Sequence, residues 1–268
     1  MVVALLGVLS ALGCARGGVP APAGDAGAEC AVVRDLGKRS LARWTKVNEA
    51  SPAPDAPIAE AATHTETVAR TAREIGADFT KAAPTRRDLA DTAEGVRMLG
   101  NLAGDKLAAL AKAARELDTR LAPLTKLENA ANDEVDKLGR DIGAGVGCVA
   151  ANAPGCAEVI ARAAELGSQR APGGLGEASL AAKGRADTLD KLASAVDALP
   201  AAPPKQSARE ETARHARAGA EAFRALAKAL GEAAPVQDRI GDERQAATEA
   251  VLRLTAELTA AGEVCKGR

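Results

Sequence analysis

Between Leu89 and Ile142, apolar or small residues recur at 89, 93, 96, 99, 103, 107, 110, 114, 117, 121, 124, 127, 131, 135, 138 and 142, almost all at steps of three and four. A strand buries every second residue, so this spacing belongs to one face of an α-helix. Kept up over about 54 residues, it is a coiled-coil-like seam, about 80 Å long at 1.5 Å per residue, that needs a partner. Pro123 falls inside the run. It removes a backbone donor and crowds the preceding turn, and because the seam keeps its phase across it, a kink is expected there.

What fills the seam limits the fold further. Hydrophobic residues make up 47% of the 268, yet aromatics only 1%, with Trp44, Phe79 and Phe223 the whole set. Most of the apolar material is therefore Ala, the best helix former, which buries little area but lets helix axes approach closely. Thin helix-on-helix packing is the expected solution.

The same periodicity marks three more arms. A last one follows the capping box Ser207-Ala208-Arg209-Glu210, with a seam through Ala216, Phe223, Leu230, Ile240, Val251 and Leu258, interrupted by Pro235. A first runs from about Cys30 to Val47, breaks at Ser51-Pro52-Ala53-Pro54, and restarts at the N-cap candidate Asp55 toward Phe79. A third runs from Ala157 to Leu166, breaks at residues 171–176 and continues to Leu199. Breaks at Ala83-Pro84, residues 143–155 and 200–204 separate four arms of comparable length. The expectation is an all-α fold: one elongated up-down-up-down four-helix bundle with kinked, coiled-coil-like arms, filling residues 29–268. Pairs such as Glu116 with Arg120, Asp136 with Arg140, Asp187 with Lys191 and Glu210 with Arg214 sit at helical spacing and read as solvated helix support.

The N-terminal end reads differently. Val2 to Leu12 form an apolar run too short to span a bilayer but suited to a signal-peptide core. It ends in Ser10-Ala11-Leu12-Gly13-Cys14, which resembles the lipobox of bacterial lipoproteins, with Ala11 where that family has Leu and no Lys or Arg ahead of the apolar run. The resemblance covers residues 1 to 14. It implies that residues 1–13 are removed, that Cys14 carries the lipid (palmitate among its acyl chains), and that the mature protein is anchored in the cell envelope. Ala15, in place of an Asp, looks like the default outer-membrane sorting signal. Residues 14–28, dense in Gly and Pro, then read as a flexible tether.

Five cysteines become four once Cys14 is lipidated, an even number suited to disulfides in an oxidising compartment. In the expected bundle Cys30 opens the first arm, Cys265 closes the last, and the loop with Cys148 and Cys156 turns at the same end. The expected pairs are Cys30–Cys265 and Cys148–Cys156; crossed pairing and a zinc site are the alternatives, the latter lacking any Cys-x-x-Cys.

Composition and motifs weigh against several functions. A net charge of -1, from 35 basic and 36 acidic residues, offers no block to attract a polyanion, and few rings exist on which bases could stack, so nucleic acid is not an expected partner. His64 and His215 each follow a glutamate by four residues, Glu60 and Glu211, and fall beside the seam, so both are expected on exposed helix surface with no metal. Gly143-Ala144-Gly145-Val146-Gly147 lacks the strand and the Gly-Lys-Ser/Thr of a phosphate loop and reads as a hairpin turn. With no cofactor motif or catalytic constellation, the expectation is a non-enzymatic envelope lipoprotein, bound to the membrane through Cys14, serving as spacer, scaffold or module for an envelope protein partner. The alternative is a ligand-binding or sensory bundle, which requires a cavity near the prolines or Trp44.

Overall fold

The computed structural model describes residues 26–144, 146, 148, 155–167, 173–199 and 206–266. The lipobox with Cys14, most of the tether, Gly145, Gly147 and the Pro200–Pro204 break lie outside them. The described residues are all-α, with no strand among them and seven helices: α1 (Ala26–Glu49), α2 (Ile58–Ala82), α3 (Arg87–Leu121), α4 (Leu124–Ala144), α5 (Cys156–Gly167), α6 (Leu175–Asp197) and α7 (Gln206–Glu263). They gather into two compact units, one formed by residues up to Glu116 and from Arg239 onward, the other by Leu117–Asp238. The long helix α7 supplies its second part to the first unit and its first part to the second.

In the first unit, four segments run up, down, up and down. Glu29 of α1 meets Thr85 and Arg86 beyond the end of α2, while Arg43 pairs with Glu74, so the two helices are antiparallel. Arg73 with Asp105 at 2.9 Å and Arg115 with Glu66 at 2.7 Å set α3 antiparallel to α2. Trp44 reaches Thr255 and Cys30 reaches Cys265, which returns α7 along α1. The core is Val33, Trp44, Ile75, Phe79, Leu89, Val96, Leu254 and Leu258, each nearly or fully excluded from solvent. Each large side chain so buried stabilises by about 1.5–3 kcal/mol.

Glycine and alanine let these helices touch at the backbone. A Cβ on Gly100 of α3 would stand 2.7 Å from the Ala72 carbonyl oxygen of α2, and one on Gly37 of α1 would stand 2.5 Å from the Gly262 amide of α7. Ala69, Ala72, Ala103 and Ala261, all buried, continue the same contacts. The close approach expected from composition is thus realised.

The second unit repeats the scheme with α4, α5, α6 and α7. Thr188 bonds Glu165 at 3.3 Å, Ser179 bonds the Ala227 carbonyl at 2.7 Å, and His215 lies 2.7 Å from Glu134. These contacts set α5 against α6, α6 against α7 and α4 against α7; the further pairs Asp190 with Arg224 and Asp197 with Arg217 make α6 and α7 antiparallel, and Glu158 sharing a groove with Ser194 does the same for α5 and α6. Leu138, Val159, Leu189, Leu192, Val196 and Phe223 fill the centre, with the Arg185 guanidinium 5.5 Å from the centroid of the Phe223 ring.

Several boundaries differ from the sequence reading. The expected first and third arms are each two helices laid side by side, α1 with α2 and α5 with α6, because folding back lets each short helix bury its seam on its neighbour. Pro123 separates two helices: α3 ends at Leu121, α4 starts at Leu124, and the Pro123 carbonyl already accepts from Leu127 N at 3.1 Å. Pro235, by contrast, lies inside the continuous 58-residue α7. Helix α2 is preceded by Pro57, whose carbonyl accepts from Glu60 and Ala61, so Asp55 is not its cap. Helix α7 opens at Gln206, which places Ser207 inside it; Glu210 accepts from Gln206 Nε2 at 3.1 Å instead of completing a capping box. Two of the expected i,i+4 pairs take other partners: Glu116 pairs with Arg239 and Arg120 with Glu232 across helices, and Arg214 pairs with Glu211 at i,i+3. Arginine is long enough to bridge neighbouring helices, and a bidentate partner there holds two elements in register.

Candidate functional site

Chemistry-bearing side chains concentrate at three places. The first is at the end of the first unit where α1 begins and α7 finishes. Cys30 and Cys265 lie at bonding distance, 2.10 Å between sulfurs, with their Cα atoms 6.0 Å apart. Cys30 is buried, whereas Cys265 is half-buried and takes a left-handed φ of 63°. Arg86, in the turn before α3, donates from Nη1 to Cys30 Sγ at 3.1 Å and from Nη2 to Cys265 Sγ at 3.3 Å. Its guanidinium is held by Asp88 through two 2.6 Å bonds. Its amide donates to Glu29 Oε2 at 3.1 Å, and Thr85 adds its hydroxyl at 2.6 Å and its amide at 3.2 Å to Glu29 Oε1. The Thr85 hydroxyl, then the Arg86 amide, hold the Glu29 carboxyl below the usual range despite some desolvation. A carboxylate from α1 thereby caps the α2–α3 turn, and that turn delivers a guanidinium to both sulfurs.

The second is the turn between α4 and α5, where Cys148 and Cys156 stand 2.02 Å apart, both buried. The four cysteines therefore sit in the expected partnership but in two different units.

The third surrounds His215 of α7. Its Nδ1 lies 2.7 Å from Glu134 Oε2 of α4, and its Nε2 lies 3.9 Å from Asp141 Oδ2 and 3.8 Å from Glu211 Oε1. The side chain is 18% exposed, so the expectation of a histidine on open helix surface is corrected. Glu134 and Asp141 are seven apart on α4, two turns along one face, and that spacing was the overlooked signal. Lys137 takes the other oxygen of Glu134 at 2.6 Å, and Lys137 first, then His215, hold that carboxyl below its ordinary value. With both oxygens engaged, Glu134 serves as a tie between α4 and α7. His64, in the first unit, is partly covered, and burial lowers its pKa. Among the described residues, no group of three or more His, Cys, Asp or Glu side chains is placed to hold a metal ion.

Trp44 is 2% exposed and donates from Nε1 to Thr255 Oγ1 at 2.9 Å, so the indole fills the seam. Surface grooves of about 410 and 350 Å³ lie along α5–α6, by Arg162, Asp190 and Lys191, and along α6–α7, by Ser179, Lys183 and Gly231. No helix among the described residues is long and apolar enough to cross a membrane. The chain matches no protein-family model, no curated protein and no solved structure.

Proposed function

We propose that the chain is a non-enzymatic cell-envelope lipoprotein, held at the membrane by lipid on Cys14, whose helical units act as a spacer, scaffold or binding module for an envelope protein partner. The observation that carries this reading is closure of the seams: α2 and α3 meet at Gly100 and Ala72, and α1 and α7 at Gly37 and Gly262, down to backbone contact. Helices drawn together so closely leave little interior volume, and recognition then falls to the outer faces. Met98, Leu180 and Leu252 stand 59%, 68% and 58% exposed on those faces and offer apolar contact points. Of the alternative, a bundle that takes a ligand near the prolines or beside Trp44, the second position is disfavoured by the indole that occupies it. The outer membrane is the favoured location, on the identity of Ala15.

Two measurements test the reading. Cys14→Ala is expected to release the protein from membranes and abolish labelling by a fatty-acid analogue; persistence of both refutes the anchor. Cross-linking in intact cells, followed by membrane isolation and mass spectrometry, is expected to recover a reproducible envelope partner attached through the outer faces of the helices. Recovery of the protein alone argues for a self-contained spacer.

A further inference from the structure

We infer that the Cys30–Cys265 pair is a thiol–disulfide exchange site, attacked at Cys265, with Arg86 as the positioning residue that stabilises the departing Cys30 thiolate. The inference is independent of the anchor and of any partner.

The two sulfurs are unequal. Cys30 Sγ is buried in the core of the first unit, whereas Cys265 is half-buried in the last turn of the chain. An incoming thiolate therefore reaches Cys265 first. Cys265 also lies just beyond the end of α7, with a left-handed φ of 63° of the kind that closes helix ends, so its sulfur is carried by a terminal turn and not by a helix interior.

The leaving side is equally prepared. A thiolate formed at a buried position is disfavoured unless a donor meets it, and Arg86 Nη1 lies 3.1 Å from Cys30 Sγ. Asp88, with two bonds to the guanidinium, and Glu29, holding the Arg86 amide, fix the direction of those N–H groups. Both carboxylates face the same end and oppose a negative sulfur. The Glu263–Lys266 pair flanks Cys265 and is self-neutral. The direct N–H···S contacts are therefore what favours the thiolate.

The step balances without an outside oxidant or reductant beyond a small-molecule thiol. The thiolate of that molecule attacks Cys265 Sγ, forming a mixed disulfide while the Cys30–Cys265 bond breaks. The bonding electron pair leaves on Cys30 Sγ as thiolate. A second thiolate can then attack the small molecule's sulfur, releasing its disulfide and leaving Cys265 as thiolate within reach of Arg86 Nη2, 3.3 Å away in the bonded form. Reduction in this way unfastens α7 from the start of α1.

The experiment uses purified full-length protein and glutathione. Limited exchange is quenched by alkylation, and the adducts are mapped by mass spectrometry in the wild type, Arg86→Gln and Arg86→Lys, with Cys148–Cys156 as internal reference. Glutathione is expected on Cys265 and not on Cys30. Arg86→Gln is expected to slow exchange about tenfold and to move the alkylation profile of reduced Cys30 to higher pH, with Arg86→Lys in between and Cys148–Cys156 unaffected. An unchanged rate and alkylation profile in folded Arg86→Gln overturns the inference. If that variant does not fold, the wild type decides: adducts on Cys30, or slower exchange than at Cys148–Cys156, overturn it equally.

Discussion

At the scale of single residues, glycines and hydroxyls test the packing most directly. Gly100→Ala places a methyl 2.7 Å from the Ala72 carbonyl and 3.2 Å from Gly76 Cα. Neither backbone can yield without parting α2 from α3, so a loss of about 1–3 kcal/mol is expected in denaturant titration. Gly241 of α7 meets nothing within 4 Å, and Gly241→Ala should instead gain up to about 1 kcal/mol from helix propensity. Opposite signs from one chemical change would establish that the close contact, and not the loss of glycine, is decisive. Thr255 donates its hydroxyl to the Val251 carbonyl at 2.8 Å and accepts the Trp44 N–H at 2.9 Å. Thr255→Val leaves that indole N–H unpaired and should cost about 1–3 kcal/mol, with a change in tryptophan emission as a second readout. Glu134, held below the ordinary carboxylate range by Lys137 and His215, contributes stability that is fully present above the unfolded carboxylate's value. That contribution is lost as pH falls through the folded value. Glu134→Gln should therefore flatten the acid limb of the stability profile, measured by urea titration from neutral pH downward, and an unchanged limb would show the tie to be inert.

Elements show where sequence was legible and where it was not. The all-α class and the seams were readable because three-and-four spacing is a local property, repeated in every arm. Direction was not. The breaks at Ser51-Pro52-Ala53-Pro54 and at residues 171–176 interrupt an arm without giving its direction when only phase is considered, yet a short amphipathic helix gains more by folding back on its neighbour than by extending past it. Arg43 with Glu74 records that reversal in the first unit, and Thr188 with Glu165 in the second. Two of the carboxylates around His215 were missed for a related reason: Glu134 and Asp141, unlike Glu211, are distant in sequence and meet the imidazole only once α4 lies against α7. The guanidinium over Cys30 and Cys265 was equally hidden, since Arg86 stands in a turn with no motif around it. Prolines divide by context. Pro123 separates α3 from α4, but Pro235 is carried through α7. Pro235→Ala restores the missing N–H to the Gly231 carbonyl. It should raise the melting temperature, with up to about 3 kcal/mol available if the helix pays the full interior-proline penalty now. A lowered melting temperature would mean that Pro235 itself is needed for packing.

For the molecule as a whole, the two cysteine pairs differ in what they constrain. Cys30 and Cys265 are 235 apart in sequence, Cys148 and Cys156 only 8. Loop-closure entropy then assigns about 5 kcal/mol to the first cross-link and about 2 kcal/mol to the second. The sole tryptophan belongs to the same unit as the long cross-link, so its emission reports on that unit. In a pair of double variants, Cys30→Ser with Cys265→Ser should lower the urea midpoint of the Trp44 transition strongly. Cys148→Ser with Cys156→Ser should leave that midpoint nearly unchanged and act on helicity lost from the second unit, followed by far-ultraviolet circular dichroism. The contrast depends on topology alone: the long cross-link ties the first helix to the last, and helices α2 to α6 lie inside the loop it closes. Equal effects of the two double variants on Trp44 would instead require the units to unfold as one cooperative body. Insensitivity to both would mean that the closed seams, with their backbone contacts at Gly100 and Gly37, hold the first unit without covalent help.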